Sequence, residues 1–211
     1  MRSFAVALAF AGLAAPAAAQ TPAPSPSPSP APPAACAPRE AVLGGIGHAT
    51  VVSFRGPIFG GTVCAVVANL ANDAFTASIA DAPSAGALVV ASLGSGCTVT
   101  VPLEGATPSG TYVIAPGGVI PSFGGDTAEA PRVVLAFSGQ RVIVIGTTAI
   151  ALVELARVLR TQPEIFGADA VERAVVIASG PAATVALRTA AGTLGVEPDA
   201  AQRVLLFMKR G

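Results

Sequence analysis

Along most of the chain the apolar residues come in short β-branched runs cut by Gly, Pro, Asn and Asp, a pattern of strands joined by turns. It predicts strands over Ala49–Phe54, Thr62–Leu70, Phe75–Ala80, Ala87–Ala91, Thr98–Val101, Gly110–Ala115, Val133–Phe137, Arg141–Ile145, Ala174–Ile177, Thr184–Thr189 and Val204–Met208. Ser138-Gly139-Gln140 separates two of these runs as a hairpin turn would, so the sheet is expected to be mixed and partly antiparallel. One stretch has a different period. Within residues 149–160, Leu152, Leu155, Ala156 and Leu159 recur at helical spacing, with Glu154, Arg157 and Arg160 off that stripe and Pro163 closing the segment. A second, shorter helix is expected over Phe166–Arg173. A mostly β chain with one or two late helices is an α+β domain.

The N-terminus follows neither period. Met1-Arg2, an apolar segment from Phe4 to Ala15 and Ala17-Ala18-Ala19 give the basic region, apolar core and small-residue cleavage site of a secretory signal peptide, with cleavage expected after Ala19. Residues 20–38 are almost entirely Pro, Ala and Ser, a composition that buries no core and favours extended polyproline conformations, hence a linker. Residues 39–211 are then one domain, exported to the periplasm or secreted.

Composition narrows the chemistry. Of 211 residues only 11% are charged, and 12 basic residues balance 12 acidic ones without a run of either sign. No nucleic-acid partner is expected from such a balance. Beyond the signal peptide no apolar run reaches the roughly 18 residues of a membrane span. With no Trp, one Tyr and one His, stacking platforms for sugars and His-based metal sites are nearly ruled out, and neither metal nor cofactor is expected. Three cysteines in an exported chain imply one disulfide and one thiol. Cys64 and Cys97 both lie in the domain and are the expected pair; Cys36–Cys97 is the second choice, and three free thiols the remaining reading.

Individual residues add little. His48 follows Gly44-Gly45-Ile46-Gly47, which lacks the Gly-Lys-Ser/Thr of a phosphate loop and reads as an ordinary turn. Ser92, Ser95 and Ser179 sit near glycines, but none occupies a Gly-x-Ser-x-Gly elbow. Asp126 and Glu129 share a loop, where carboxylates are ordinarily solvated.

The order of elements in the second half is more informative. Pro108-Ser109-Gly110, Pro121-Ser122-Phe123, the strand Ala130-Pro131-Arg132-Val133-Val134-Leu135-Ala136-Phe137, the helix around Leu152–Ala156 and Val176-Ile177-Ala178-Ser179-Gly180-Pro181-Ala182-Ala183 resemble the phosphodiester glycosidase family. The likeness, to N-acetylglucosamine phosphodiester glycosidases, runs from about Thr62 to Arg210. It implies that Arg132, after Pro131, faces the site and grips a phosphate, with Ser179 and Gly180 beside the ligand. It also places Glu154 at the family's helix-opening glutamate, although such a residue complements the helix dipole without any chemistry.

Two family motifs are altered. Where the resemblance implies an Asp and three glycines this chain has Ala178-Ser179-Gly180-Pro181, and where it implies Asn-Gly-Gly the chain reads Val89-Val90-Ala91-Ser92-Leu93-Gly94. Alanine replaces no carboxylate as acid, base or ligand, and proline removes an N–H donor. The expectation is therefore a degenerate, non-catalytic binding or interaction domain for an envelope ligand or protein. The alternative is an active hydrolase of sugar phosphodiesters with a rebuilt site, using Arg132 for the phosphate and Glu154 or Asp126 as acid or base.

Overall fold

The computed structural model describes residues 36–103, 108–123 and 127–211; the expected signal peptide, nearly all of the expected linker and Asp126 lie outside them. The described chain is α+β, with twelve strands, one α-helix and a 3-10 turn. The strands are β1 (Arg39–Val42), β2 (Gly47–Arg55), β3 (Thr62–Ala71), β4 (Phe75–Ala80), β5 (Val89–Ser92), β6 (Thr111–Ile114), β7 (Ala130–Ser138), β8 (Arg141–Ile150), β9 (Arg173–Ser179), β10 (Val185–Thr189), β11 (Gly192–Gly195) and β12 (Val204–Lys209). They form two sheets, in the orders β1-β2-β3-β8-β7-β9-β6 and β11-β10-β5-β12-β4. Every pairing between named strands is antiparallel.

Alternation along β7 and β8 shows how the layers stack. Val133, Leu135, Phe137, Val142 and Val144 face a core shared with Val185, Leu187, Leu205 and Phe207 of the smaller sheet. The intervening Val134, Ala136, Ile143 and Ile145 face a second core, closed by Leu152, Leu155, Ala156 and Leu159 of the helix α1 (Leu152–Thr161). The large sheet is thus a middle layer, which explains why its central strands read as unbroken apolar runs in the sequence. Gly139, at φ +53°, makes the tight β7–β8 turn expected at Ser138-Gly139-Gln140.

Several boundaries differ from the sequence pattern. The helix begins at Leu152, because residues 149–150 still belong to β8, where Ile150 pairs with Ala130. No helix forms over Phe166–Arg173. A 3-10 turn over Pro163–Phe166 ends at Gly167 in a left-handed conformation (φ +70°), which stops further helical winding. Asn69 on β3 clamps that stop, donating from Nδ2 to the Gly167 carbonyl at 2.6 Å and accepting from Arg141 Nη1 at 2.9 Å. Thr98–Val101 is not a strand: only Thr98 forms a bridge, to Ser109. Conversely β1 and β11 lie at sheet edges, largely exposed, and lack the alternation that would have announced them.

Candidate functional site

Arg132 enters β7 beside a register shift between Ala130 and Arg132, opposite Thr147 of β8 and Ser179 of β9. A second shift, between Val133 and Val134, puts Ala178 against Val133 and turns Ser179 to the same face as Arg132. The side chain is consequently drawn inward, and Arg132 is only 7% exposed. Nη1 donates to Ser179 Oγ at 2.8 Å, Nη2 to the Ala128 carbonyl at 3.1 Å and Nε to the Ile150 carbonyl at 3.4 Å. One side chain thereby ties the ends of β8 and β9 to the entry of β7.

The turn after β9 is equally committed. Gly180, at φ +87°, donates its N–H to the Pro131 carbonyl at 2.9 Å and accepts from the Ala183 N–H at 2.9 Å. Pro181 has no N–H, and the Thr184 N–H goes to Ser92 Oγ at 2.9 Å. Ser92 is fully buried, with its own N–H donating to the Thr184 carbonyl. Ala178, at the position where the resemblance implies a carboxylate, packs into the core between the sheets. Arg132, Ser179 and Gly180 are therefore brought together, with the Arg132 guanidinium and the Gly180 N–H directed at the protein and Ser179 exposed.

Glu154 stands elsewhere. It lies in the first turn of α1, off the apolar stripe in sequence, yet it is 2% exposed. Its Oε1 accepts from the Ile58 N–H at 3.0 Å and the Phe59 N–H at 2.8 Å, and the buried Gly56 packs on the carboxylate, which a side chain there would push aside. The glutamate fastens the tip of the β2–β3 hairpin to the helix, and no hydrogen bond joins it to Arg132 among the described residues. Glu129 and His48 are exposed, and no group of His, Cys, Asp and Glu suited to a metal occurs among the described residues.

The cysteine pairing is corrected. Cys64 on β3 is bonded to Cys36, with Cα atoms 5.4 Å apart, and neither Cys64–Cys97 nor Cys36–Cys97 forms. Cys36 sits in the Pro-rich stretch by composition, but it is buried at 3% exposure against the sheet. Cys97 is the free thiol. Burial pushes its pKa up, partly opposed by the charge of Arg203, and its Sγ donates to the Ser109 carbonyl at 2.9 Å. The sequence reading also missed the Asn69–Arg141–Gly167 clamp; a lone asparagine inside an apolar strand was its available signal, because a buried amide requires partners.

No family model matches the chain, and neither does any curated protein. Among solved structures the chain is similar to the zebrafish N-acetylglucosamine-1-phosphodiester alpha-N-acetylglucosaminidase catalytic domain auto-inhibited by pro-peptide, with a TM-score of 0.50 and 12% identity over 76% of this chain and 82% of that one. The likeness is one of fold: the chain has a phosphodiester glycosidase-like architecture.

Proposed function

We propose that this protein is an exported, non-catalytic binding or interaction domain built on a phosphodiester glycosidase-like fold, with residues 1–19 removed as a signal peptide and residues 20–38 serving mainly as a linker. The observation that carries the reading is the state of Arg132. An arginine that grips a substrate phosphate turns its N–H fork outward, whereas this one donates to Ser179, Ala128 and Ile150 at 7% exposure. Ala178 in the core and Pro181 in the following turn agree with it, since neither supplies a carboxylate or an N–H where phosphodiester chemistry would call for one. The Cys36–Cys64 disulfide fits an oxidising compartment, and no helix of the described residues is long and apolar enough to cross a membrane.

The test is enzymatic and thermodynamic together. Purified protein is expected to leave N-acetylglucosamine phosphodiesters uncleaved, and Arg132→Ala to lower stability by roughly 3 kcal/mol through lost charged hydrogen bonds and unpaired acceptors. Turnover of such a phosphodiester, abolished by Arg132→Ala at unchanged Tm, overturns the reading in favour of a rebuilt hydrolytic site.

A further inference from the structure

The two sheets do not stay in contact along their whole length. β8 and β10 approach closely at Gly146, where a Cβ would stand 3.0 Å from Val185. Beside that approach β1, β2 and β3 on one side and β10 and β11 on the other line a cleft of about 300 Å³, at the small end of ligand-binding pockets. It opens on the face of the large sheet turned toward the smaller sheet, whereas Arg132 lies on the helix side.

Its walls include Val51 and Val66 from the large sheet and Val185 and Leu194 from the small one, with Thr148 and Thr193 also on the lining. Two polar groups stand out. Arg39, at the start of β1, lines the cleft and is exposed, and its side chain makes no hydrogen bond or ion pair with a described residue. Thr184 also lines the cleft, and its Oγ1 is buried without a hydrogen-bond partner, although both its backbone groups are held by Ser92. Native folds rarely leave a buried hydroxyl in that condition, and a ligand in the cleft reaches this oxygen only once the side chain turns to another staggered rotamer. No carboxylate lines the space.

We infer that this cleft binds a small aliphatic carboxylate. Its acyl chain rests on the valines and leucine, and its carboxylate pairs with Arg39 and accepts from the Thr184 hydroxyl. A single guanidinium with no second cation matches a monoanion better than a phosphate dianion, and the apolar walls account for the chain. The inference goes beyond the binding role proposed above and does not depend on the state of Arg132.

Octanoate is the probe, titrated into the full-length mature protein and followed by calorimetry and by backbone amide shifts. Saturable one-to-one binding with shifts centred on residues 184–196 is expected. Arg39→Ala is expected to weaken it about tenfold or more, as the loss of a charged hydrogen bond does. Thr184→Val, which removes the orphan hydroxyl at unchanged or raised Tm, is expected to weaken it about threefold. 1-Octanol should bind at least about tenfold more weakly and be indifferent to Arg39→Ala. Non-saturable binding, octanoate affinity unchanged in Arg39→Ala, shifts confined to another surface, or a preference for octyl phosphate would each overturn the inference. None of these results bears on phosphodiester turnover.

Discussion

Cys97 ties charge to stability in a direction that can be worked out. Its thiol is buried and titrates above the ordinary value, so in alkaline solution the folded state keeps a proton that the unfolded chain has released. Stability therefore falls as pH rises past the normal thiol pKa of about 8.5. A Tm profile between pH 7 and 10 is expected to decline less steeply in Cys97→Ala than in the parent, even though the variant starts lower from the lost packing. An unchanged slope would show that Cys97 contributes nothing to the alkaline decline. Single residues were only partly legible beforehand. Arg132 was marked by its Pro-Arg pair at a strand opening, but its partners Ala128, Ile150 and Ser179 come together through two register shifts that no local pattern announces. Nothing local announced the burial of Glu154, because helical spacing places it off the apolar stripe; the hairpin tip that covers it is almost a hundred residues away in sequence.

That contact makes the β2–β3 hairpin and α1 one mechanical unit. Truncating Glu154→Ala strips the Ile58 and Phe59 N–H groups of their acceptor, with an expected cost of roughly 2–4 kcal/mol. Glu154→Gln keeps an amide oxygen in place and should cost less. Hydrogen exchange supplies the check: the amides of Ile58 and Phe59 are expected to lose protection in Glu154→Ala while those of β7 and β8 change far less, and uniform loss across the molecule would contradict a local fastening. The strands of the middle sheet were visible in the sequence because burial on both faces leaves almost nothing polar in them. Two of the four edges were not, since Arg39–Val42 and Gly192–Gly195 are ordered by their partners' ladders and not by apolar faces of their own. The expected helix over Phe166–Arg173 failed for a related reason, the left-handed glycine and its clamp from Asn69 having outweighed a weak local preference.

The disulfide fastens Cys36 to the large sheet. Composition put the break after Pro38, whereas the bond to Cys64 draws Cys36 into the folded body. It joins cysteines 28 residues apart, which corresponds to about 3–4 kcal/mol in the chain-entropy account of cross-links. The double variant Cys36→Ala/Cys64→Ala is expected to unfold about 10 °C lower, with Cys97 still unreactive toward a thiol reagent in the native state; a shift of a degree or less would mean the bond is incidental. A different consequence follows from strand order. β3 pairs with β2, its neighbour in the chain, and on its other side with β8, which begins only at Arg141. A chain emerging N-terminus first on the far side of the membrane can therefore assemble its first three strands before the second partner of Thr62–Ala71 has arrived. During that interval an apolar ladder has one bare edge, the kind of template onto which a strand of another molecule adds. The yield of correctly made protein is then governed by how crowded such half-finished chains are, as well as by the stability of the finished one.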